Sequence, residues 1–394
     1  MAEGHKLSPT RPAPWNDPRW RGALWQILTL ALIVWLAWHA VDNAIVNMRA
    51  RNIPTDFSFW NQPAGFDISQ TLVPFSSASS TYGRAFLVGL LNTLVVAAIS
   101  IVVATIIGFM IGIARLSDNW IVARLASVYV EIIRNTPLLL QLLFWYNAVL
   151  KTLPGPRESI VFPGGIFLNN RGLVLPEPQL APGFVWVAGG AILALLGALI
   201  FKFWASRMQA TTGQRYHAWP VLVGMLIVLT GGAIFSQGTP VTFTLPELRG
   251  FNFTGARIIP EFVALVLGLS LYAAAFIAEI VRAGVTAVPR GQTEAGEAIG
   301  LSRGDVLRLV VIPQALRIIV PPLTNQYLNL IKNSSLGVFI GYPDLVQIFM
   351  GTVLNQTGAA VQIVSITMAV YLVISLVTSL AMNLYARRIA LQER

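Results

Sequence analysis

Apolar runs long enough to cross a lipid bilayer recur along this 394-residue chain. A helix needs about 20 predominantly apolar residues to cross the hydrocarbon core. Eight runs meet this requirement, and they predict spans at 22–41, 85–114, 122–150, 182–204, 219–236, 260–288, 312–340 and 361–386. Pro, Gly, Ser and Asn concentrate in the connecting segments 42–84, 151–181 and 237–258, which predicts ordered loops or short surface helices there. The pattern indicates an all-α integral membrane protein with about eight transmembrane helices.

The composition agrees with a membrane protein and excludes several kinds of chemistry. Hydrophobic residues make up 55% of the chain, charged residues only 11%, and the mean hydropathy is +0.66, outside the range of soluble globular domains. Cysteine is absent and the three histidines lie far apart, so we expect no metal site and no cofactor. The net charge of +10 favours anionic membrane lipid as a partner over nucleic acid, because the basic residues flank apolar runs without aromatic interleaving.

The distribution of Lys and Arg predicts the orientation. An even number of spans places both termini on one side of the membrane. That side receives seventeen of the 27 basic residues, and the other side receives eight. Since basic residues accumulate in cytoplasmic loops, we predict that both termini are cytoplasmic, and that the first span is an uncleaved anchor.

A charged stretch, residues 290–308, interrupts two long apolar runs on the predicted cytoplasmic side. Thr293 is a plausible N-cap of a short helix, and Gly300 can adopt the left-handed conformation that closes it. Small and apolar side chains share one helical face beside two acidic ones, a surface that suits the groove of another protein; the residues are Glu294, Ala295, Glu297, Ala298 and Ile299.

A second short helix is predicted directly after the first. Ser302, followed three residues later by Asp305, resembles a capping box, and we expect this helix to end at Pro313. The alternative interpretation of the whole stretch is an ordinary solvated loop with a lipid-facing amphipathic helix.

Two predicted spans carry polar residues on one face. An ionisable side chain near the bilayer centre costs roughly 2.5–3.5 kcal/mol, so it usually faces a partner or a cavity. In the span 122–150, four polar residues fall within an arc of about 120° on a helical wheel, Thr136 lies off that arc, and Pro137 frees a backbone carbonyl in the preceding turn. The four residues are Glu131, Arg134, Asn135 and Gln141, of which Glu131 and Arg134 have the spacing of an ion pair.

The second polar face lies in the span 312–340, after the adjacent Pro321 and Pro322, which can kink a helix. Its members are Asn325, Gln326, Asn329, Lys332 and Asn333. Together the two faces offer donors for a carboxylate and acceptors for an ammonium group, as a zwitterionic substrate requires. The alternative is that these groups satisfy each other across packed helices.

Smaller signals concern helix packing and the energy source. Gly108 and Gly112 form a G-x-x-x-G pattern that favours close helix contact, and Glu279 with Arg282 has the spacing of a structural ion pair. No Gly-Lys pair occurs anywhere in the chain, so the phosphate-binding loop G-x-x-x-x-G-K-[ST] is absent. Active transport would therefore need a partner that hydrolyses ATP, or an ion gradient.

The stretch "EAGEAIGLSRGDVLRLVVIP" resembles the EAA loop of importer-type ABC permeases. One position departs from that pattern, because Gly296 stands where Ala is usual, which lowers helix propensity by roughly 1 kcal/mol. The resemblance implies that this loop, 289–312, forms a coupling helix that docks on an ATPase. The residues it implicates are Glu294, Ala295, Gly296, Glu297, Ala298, Gly300 and Pro313.

Further segments, "GLLNTLVVAAISIVVATIIGFMIGIARLS", "YVEIIRNTPLLLQLLFWY", "AAFIAEIVRAGVTAVPRGQTEAG" and "LNLIKNSSL", resemble permeases for polar amino acids, in particular the large Q-type subunits of general L-amino acid transporters. The resemblance implies a five-span core with three extra spans. The expected partners are a second homologous permease subunit, an ATPase dimer that carries the hydrolysis, a periplasmic binding protein and an amino-acid substrate, all at a bacterial inner membrane.

The predicted organisation follows from the spans and the resemblance. It comprises a cytoplasmic segment 1–21, an extra span with its outer segment 22–84, a first core segment 85–150, an insertion with two extra spans 151–258, a second core segment 259–388 and a tail 389–394. Two other functions stay open: an ion-gradient-driven secondary amino-acid transporter, and a membrane scaffold or receptor subunit without transport.

Overall fold

The structure, a computed structural model, describes residues 18–50, 54, 56–214, 216–250 and 252–389. Most of the predicted cytoplasmic segment 1–21 and of the tail 389–394 therefore lies outside the described residues. The described helices are α1 Pro18–Ala50, α2 Tyr82–Ala114, α3 Trp120–Asn135, α4 Leu138–Leu143, α5 Phe184–Thr212, α6 Ala218–Gln237, α7 Pro260–Thr286, α8 Arg290–Ala298, α9 Arg303–Val306, α10 Ile312–Asn333, α11 Leu354–Thr357 and α12 Ala360–Ile389.

The prediction of about eight spans is confirmed. Seven described helical segments are long and apolar enough to cross a membrane. Six of them are α1, α2, α5, α6, α7 and α12, and the seventh is the continuous stretch Arg303–Ile340 that contains α9 and α10. The remaining predicted span, 122–150, is present as a broken helix, because α3 ends at Asn135 and α4 with the π-helical Phe144–Leu150 continues from Leu138.

The break in the span 122–150 follows from Pro137, which has no N–H to bond the carbonyl of Ile133. The side chain of Gln141 supplies the missing donor. Its Nε2 donates to the carbonyl oxygens of Ile133 and Thr136, at 3.0 Å each, and the residue is 7% exposed. Since a backbone carbonyl without a partner is costly in a bilayer, Gln141 stabilises the broken helix from within.

Helix α7 is the centre of the core, and α2 packs along it. Small residues allow the two backbones to approach. A Cβ placed on Gly108 would lie 2.6 Å from the Cβ of Ile277, and one on Gly112 would lie 2.8 Å from the Cβ of Val281. The G-x-x-x-G prediction is thereby confirmed as a packing site. Helices α3, α4 and α10 also pack on α7, and α12 packs on α10.

The loop that follows α10 is anchored to α2 by buried polar side chains. Asn92 Nδ2 donates to the carbonyl of Pro343 at 2.8 Å, and Thr93 Oγ1 accepts from the N–H of Leu345 at 3.0 Å. Both side chains are fully buried. This loop joins the 3₁₀ turn Ser334–Ile340 to the π-helical segment Val346–Val353, which leads through α11 into α12.

The three extra helices are set apart from this core. Helices α5 and α6 pack on each other as a hairpin, where Gly190 lies against the backbone of Leu229. In α1 the side chains from Trp20 onward are exposed, apart from Met48. The apolar exposed surfaces of these helices suit a lipid environment.

The prediction of loops at 151–181 and 237–258 was wrong, because these segments form antiparallel β-strands. The strands are β1 Ile160–Phe162, β2 Ile166–Asn169, β3 Gly172–Leu175, β4 Glu177–Leu180, β5 Val241–Thr244, β6 Leu248–Arg249, β7 Asn252–Phe253 and β8 Ala256–Ile258. They form a four-stranded sheet of order β1-β2-β3-β8 and two ribbons, β4-β5 and β6-β7. The α5–α6 hairpin returns the chain to the end it left, so strands from the two segments pair.

The packing of α2 on α7 yields a testable expectation. We expect Gly108→Ala to lower the thermal midpoint of the purified chain, because the new Cβ would also lie 3.0 Å from the carbonyl oxygen of Ala274, a backbone atom. Gly224→Ala, in α6, is the matched control, since nothing lies within 4 Å of its Cβ position. Both changes bring the same helix-propensity gain, about 1 kcal/mol, so equal midpoints would contradict the proposed close contact.

Candidate coupling and translocation site

Helix α8 forms the beginning of the charged stretch. It starts at Arg290, directly after Pro289, whose φ of −59° suits a helix start. Thr293 lies within the helix, so its prediction as an N-cap was wrong. Gly300 has φ +86°, and its N–H donates to the carbonyl of Glu297 at 2.9 Å. The predicted left-handed closure of the helix is therefore confirmed.

Helix α8 packs against Val306 through Gly296, and most of its other residues are exposed. Gly296 is buried, and a Cβ placed on it would lie 3.0 Å from Cγ2 of Val306. Its departure from the usual Ala therefore has a physical reason, because glycine lets α8 approach Val306. Of the remaining predicted docking residues, Pro313 is half-buried. The others are exposed, and they are Glu294, Ala295, Glu297, Ala298 and Gly300. Ile299 beside them is 78% exposed.

Helix α9 begins as the capping-box pattern predicts. Ser302 Oγ accepts from the N–H of Asp305 at 3.2 Å and donates to Asp305 Oδ2 at 2.6 Å. The predicted end at Pro313 was wrong, because the chain continues through a π-helical turn, Leu307–Val311, into α10. In that turn the N–H of Ile312 donates to the carbonyl of Leu307. The wider turn accommodates the ring of Pro313 without ending the helix.

A groove of about 520 Å³ lies between α8 and the start of α10. Gln314 Nε2 donates to Gln292 Oε1 across it at 3.2 Å. Its lining residues are Gln292, Leu309, Val310, Pro313, Gln314 and Arg317. The exposed members of the predicted coupling set lie beside this groove at one end of the helical core, and they are called the coupling surface below: Glu294, Ala295, Glu297, Ala298 and Gly300.

An acidic centre close to that end joins three core helices through charge. Glu279 of α7 binds Arg282 one turn later, with Arg282 Nη2 at 2.6 Å from Glu279 Oε1. Its other oxygen binds Arg115, at the end of α2, and lies 3.6 Å from Nη1 of Arg134 in α3. The expected Glu279–Arg282 pair is confirmed, but Arg115 and Arg134 escaped prediction because they lie far away in sequence.

The polar face of α3 is partly exposed. Glu131, Arg134 and Asn135 are exposed, and Thr136 is half-buried with its hydroxyl bonded to the carbonyl of Ile132 at 2.8 Å. Arg134 turns toward Glu279 and lies over the ring of Phe276, 5.2 Å from its centroid. The structure therefore gives Arg134 a different carboxylate partner from the Glu131 that its spacing suggested.

The polar face of α10 contains a row of exposed side chains. Asn325, Asn329 and Lys332 are exposed at helical spacing, so they form one stripe. Within the described chain, none of these three side chains hydrogen-bonds to another residue. Gln326 is buried and Asn333 is half-buried on the flanks of the stripe. Within the same described residues, no hydrogen bond or ion pair joins this face to that of α3, although both helices pack on α7.

A buried carboxyl group lies beyond α10 that sequence reasoning did not identify. Asp344 is fully buried, and its Oδ1 accepts from the N–H of Gln347 at 2.7 Å, at the start of the next helical segment. Burial raises the pKa of this carboxyl to about 7. A lone Asp before an apolar run looks like an ordinary helix cap, so the sequence carried no signal of its burial.

A multi-span bundle with an exposed charged helix at one end and an exposed polar row along one span defines a multi-pass membrane protein. Residues 228–391 match the family described as binding-protein-dependent transport system inner membrane component. The general L-amino acid transport system permease protein AapQ of Rhizobium johnstonii is 49% identical over 96% of this chain and 94% of that protein.

Two further similarities were found. The glutamate/glutamine/aspartate/asparagine transport system permease protein BztB of Rhodobacter capsulatus is 40% identical, over 96% of both chains. A crystal structure of an amino acid ABC transporter with histidines is 23% identical, with a TM-score of 0.47, over 78% of this chain and 95% of that one. On the strength of the sequence relatives, this chain belongs to the family of amino-acid ABC transporter permeases.

The charge centre at Glu279 yields a prediction. Glu279→Gln would leave three guanidinium groups without their carboxylate, and we expect it to destabilise the purified chain by about 1–3 kcal/mol, measured as a lower thermal midpoint. Glu177→Gln, an exposed residue of β4, is the control. Adding Arg115→Gln to the first variant should restore some of the loss. Equal midpoints for the two single variants would show that the centre does not hold α2, α3 and α7 together.

Proposed function

We propose that this chain is the membrane-spanning permease subunit of an ATP-driven importer for L-amino acids of broad range, with the substrate path along the polar row of α10. One observation carries the proposal. Asn325, Asn329 and Lys332 lie exposed in the second half of a long apolar helix, where exposure to lipid would be costly. A row of this kind needs a polar path or another subunit beside it.

The proposed substrate is an L-amino acid, because AapQ and BztB are named for amino-acid transport. Amide side chains and Lys332 supply donors for the carboxylate, and amide oxygens supply acceptors for the ammonium group. The exposed portion of the α3 face, with Glu131, Asn135 and the half-buried Thr136, is proposed as a second lining of the path. Gln141 is assigned the structural role of satisfying the broken helix.

The proposed energy source is a partner ATPase that binds the coupling surface. The chain has no Gly-Lys pair and so lacks the phosphate-binding loop, while α8 is largely exposed and is closed at its C-terminal end by Gly300. Membership of the ABC permease family favours this source over the ion-gradient alternative. A second homologous permease subunit, an ATPase dimer and a periplasmic binding protein complete the proposed assembly, with both termini and α8 in the cytoplasm.

ATP hydrolysis would be coupled to transport through the helix that connects the coupling surface to the polar row of α10. Stretch Arg303–Ile340 is continuous, and about 28 Å of helix separates Pro313 from Lys332 at 1.5 Å per residue. Pro321 and Pro322 lie between them, where missing backbone hydrogen bonds make bending easier. A displacement of α8 and Pro313 by the ATPase would thus tilt the polar row and open the path alternately to the two sides.

The substrate path is tested by uptake. We expect Asn329→Leu and Lys332→Met each to reduce ATP-driven amino-acid uptake by the assembled transporter about tenfold or more, since each removes a polar group from the row. Gln209→Leu, an exposed polar residue of α5, is the control and should retain uptake. Full uptake in both row variants, with normal assembly, would place the path elsewhere.

The coupling surface is tested by the ratio of ATP hydrolysed to amino acid transported. We expect Gly300→Val, which places a branched residue at φ +86° at a cost of about 1–2 kcal/mol, to raise this ratio while membrane insertion is unchanged. Glu294→Lys should do the same by reversing an exposed charge. Gly291→Ala is the control, because nothing lies within 4 Å of its Cβ position. An unchanged ratio in both variants would exclude α8 as the coupling element.

A further inference from the structure

A polar cavity of about 270 Å³ lies where the β-sheet insertion meets the helical core. It is at the opposite end of α7 from the coupling surface, because α7 begins at Pro260 beside the cavity and ends at Thr286 shortly before α8. Four charged side chains are among the described residues that line it, and they are Lys151, Arg171, Arg257 and Glu261.

Separate regions of the chain bring these charges together. Arg171 lies in the turn between β2 and β3, where its N–H donates to Asn169 Oδ1 at 2.9 Å. Arg257 lies on β8, opposite Val174 of β3. Lys151 follows the broken span 122–150, and Glu261 lies in the first turn of α7. The strands of the insertion and their turn thus contribute two guanidinium groups. The first residue of the insertion, Lys151, contributes an ammonium group, and α7 contributes one carboxylate.

One tyrosine contacts both Glu261 and Lys151. Tyr146 donates its hydroxyl to Glu261 Oε1 at 2.6 Å, and Lys151 Nζ lies 4.9 Å from the centroid of the Tyr146 ring. Because a carboxylate accepts several hydrogen bonds, Glu261 keeps capacity for a further donor. The start of the 27-residue helix α7 adds the positive end of a helix dipole to the cavity wall.

This arrangement suits a small ligand that carries both charges. Three cationic groups and a helix N-terminus favour a carboxylate, and arginine binds carboxylates with two parallel hydrogen bonds. Glu261 provides the opposite charge for an ammonium group. The volume falls just below the range of about 300–1,000 Å³ that is typical for drug-sized ligands, so the cavity fits a single small molecule and not a folded segment of a protein.

We propose that this cavity binds a free L-amino acid as a zwitterion, with its carboxylate toward Arg257, Arg171 and Lys151 and its ammonium group toward Glu261. The proposal deepens the proposed function, on which its biological role rests, by adding a reception site at the sheet end, separate from the polar row of α10. It also assigns a use to the insertion, since three of the four charged residues, Lys151, Arg171 and Arg257, come from it.

The test measures equilibrium binding of radiolabelled L-alanine to the full chain in lipid nanodiscs. We expect Arg257→Gln, Lys151→Gln and Glu261→Gln each to weaken binding about tenfold or more. Glutamine at position 261 keeps an acceptor for Tyr146 and removes only the charge. Arg249→Gln, in the same insertion but outside the cavity lining, should bind as the unmodified chain does. Propionate and ethylamine, which each lack one charged group, should compete at least about tenfold less well than alanine.

Two results would overturn this proposal. They are alanine binding that the three cavity variants do not weaken, and competition by propionate or inorganic phosphate as strong as that by alanine. ATP-driven uptake by the assembled transporter is measured separately. If the unmodified assembly transports no amino acid, the proposed function fails, whereas the binding measurement still decides the cavity.

Discussion

The close contact of α2 with α7 is the interaction on which the rest of the core depends. In a bilayer, apolar surface by itself does not drive helices together, so association relies on close packing and on internal hydrogen bonds. Gly108 and Gly112 provide the close packing against Ile277 and Val281. Asn92 and Thr93, on the same helix, then bond the loop after α10, and Arg115 at its end bonds Glu279. One helix thereby anchors both ends of the core.

The need to satisfy every backbone polar group inside the membrane explains the irregular helices. Pro137 breaks the span 122–150, and Gln141 replaces the hydrogen bond that is lost. Pro313 would interrupt α10, and the preceding π-helical turn accommodates it. The π-helical turn keeps the stretch from the coupling surface to the polar row of α10 in one continuous helix, as the proposed mechanical connection between an ATPase and the substrate path requires.

The Glu279 centre, the polar row of α10 and the cavity at the sheet end differ in how far this chain itself supplies partners for their polar groups. The centre at Glu279 is neutralised by arginines from three helices, so it stabilises the core. The row on α10 is exposed and has no hydrogen-bond partner among the described residues, as the proposed substrate path requires. The cavity at the sheet end combines both charges around Tyr146, as a zwitterionic ligand would need.

The sequence alone determined the features that depend on neighbouring residues. Long apolar runs located the spans, Ser302 and Asp305 predicted a helix start, and Gly300 predicted the helix end, because caps and hydropathy act over a few positions. Only the tertiary structure decided which distant groups meet. The pairing of β3 with β8 needs the α5–α6 hairpin, and Glu279 draws Arg115 from 164 residues away. Such contacts follow from packing in three dimensions, which no local pattern in the sequence records.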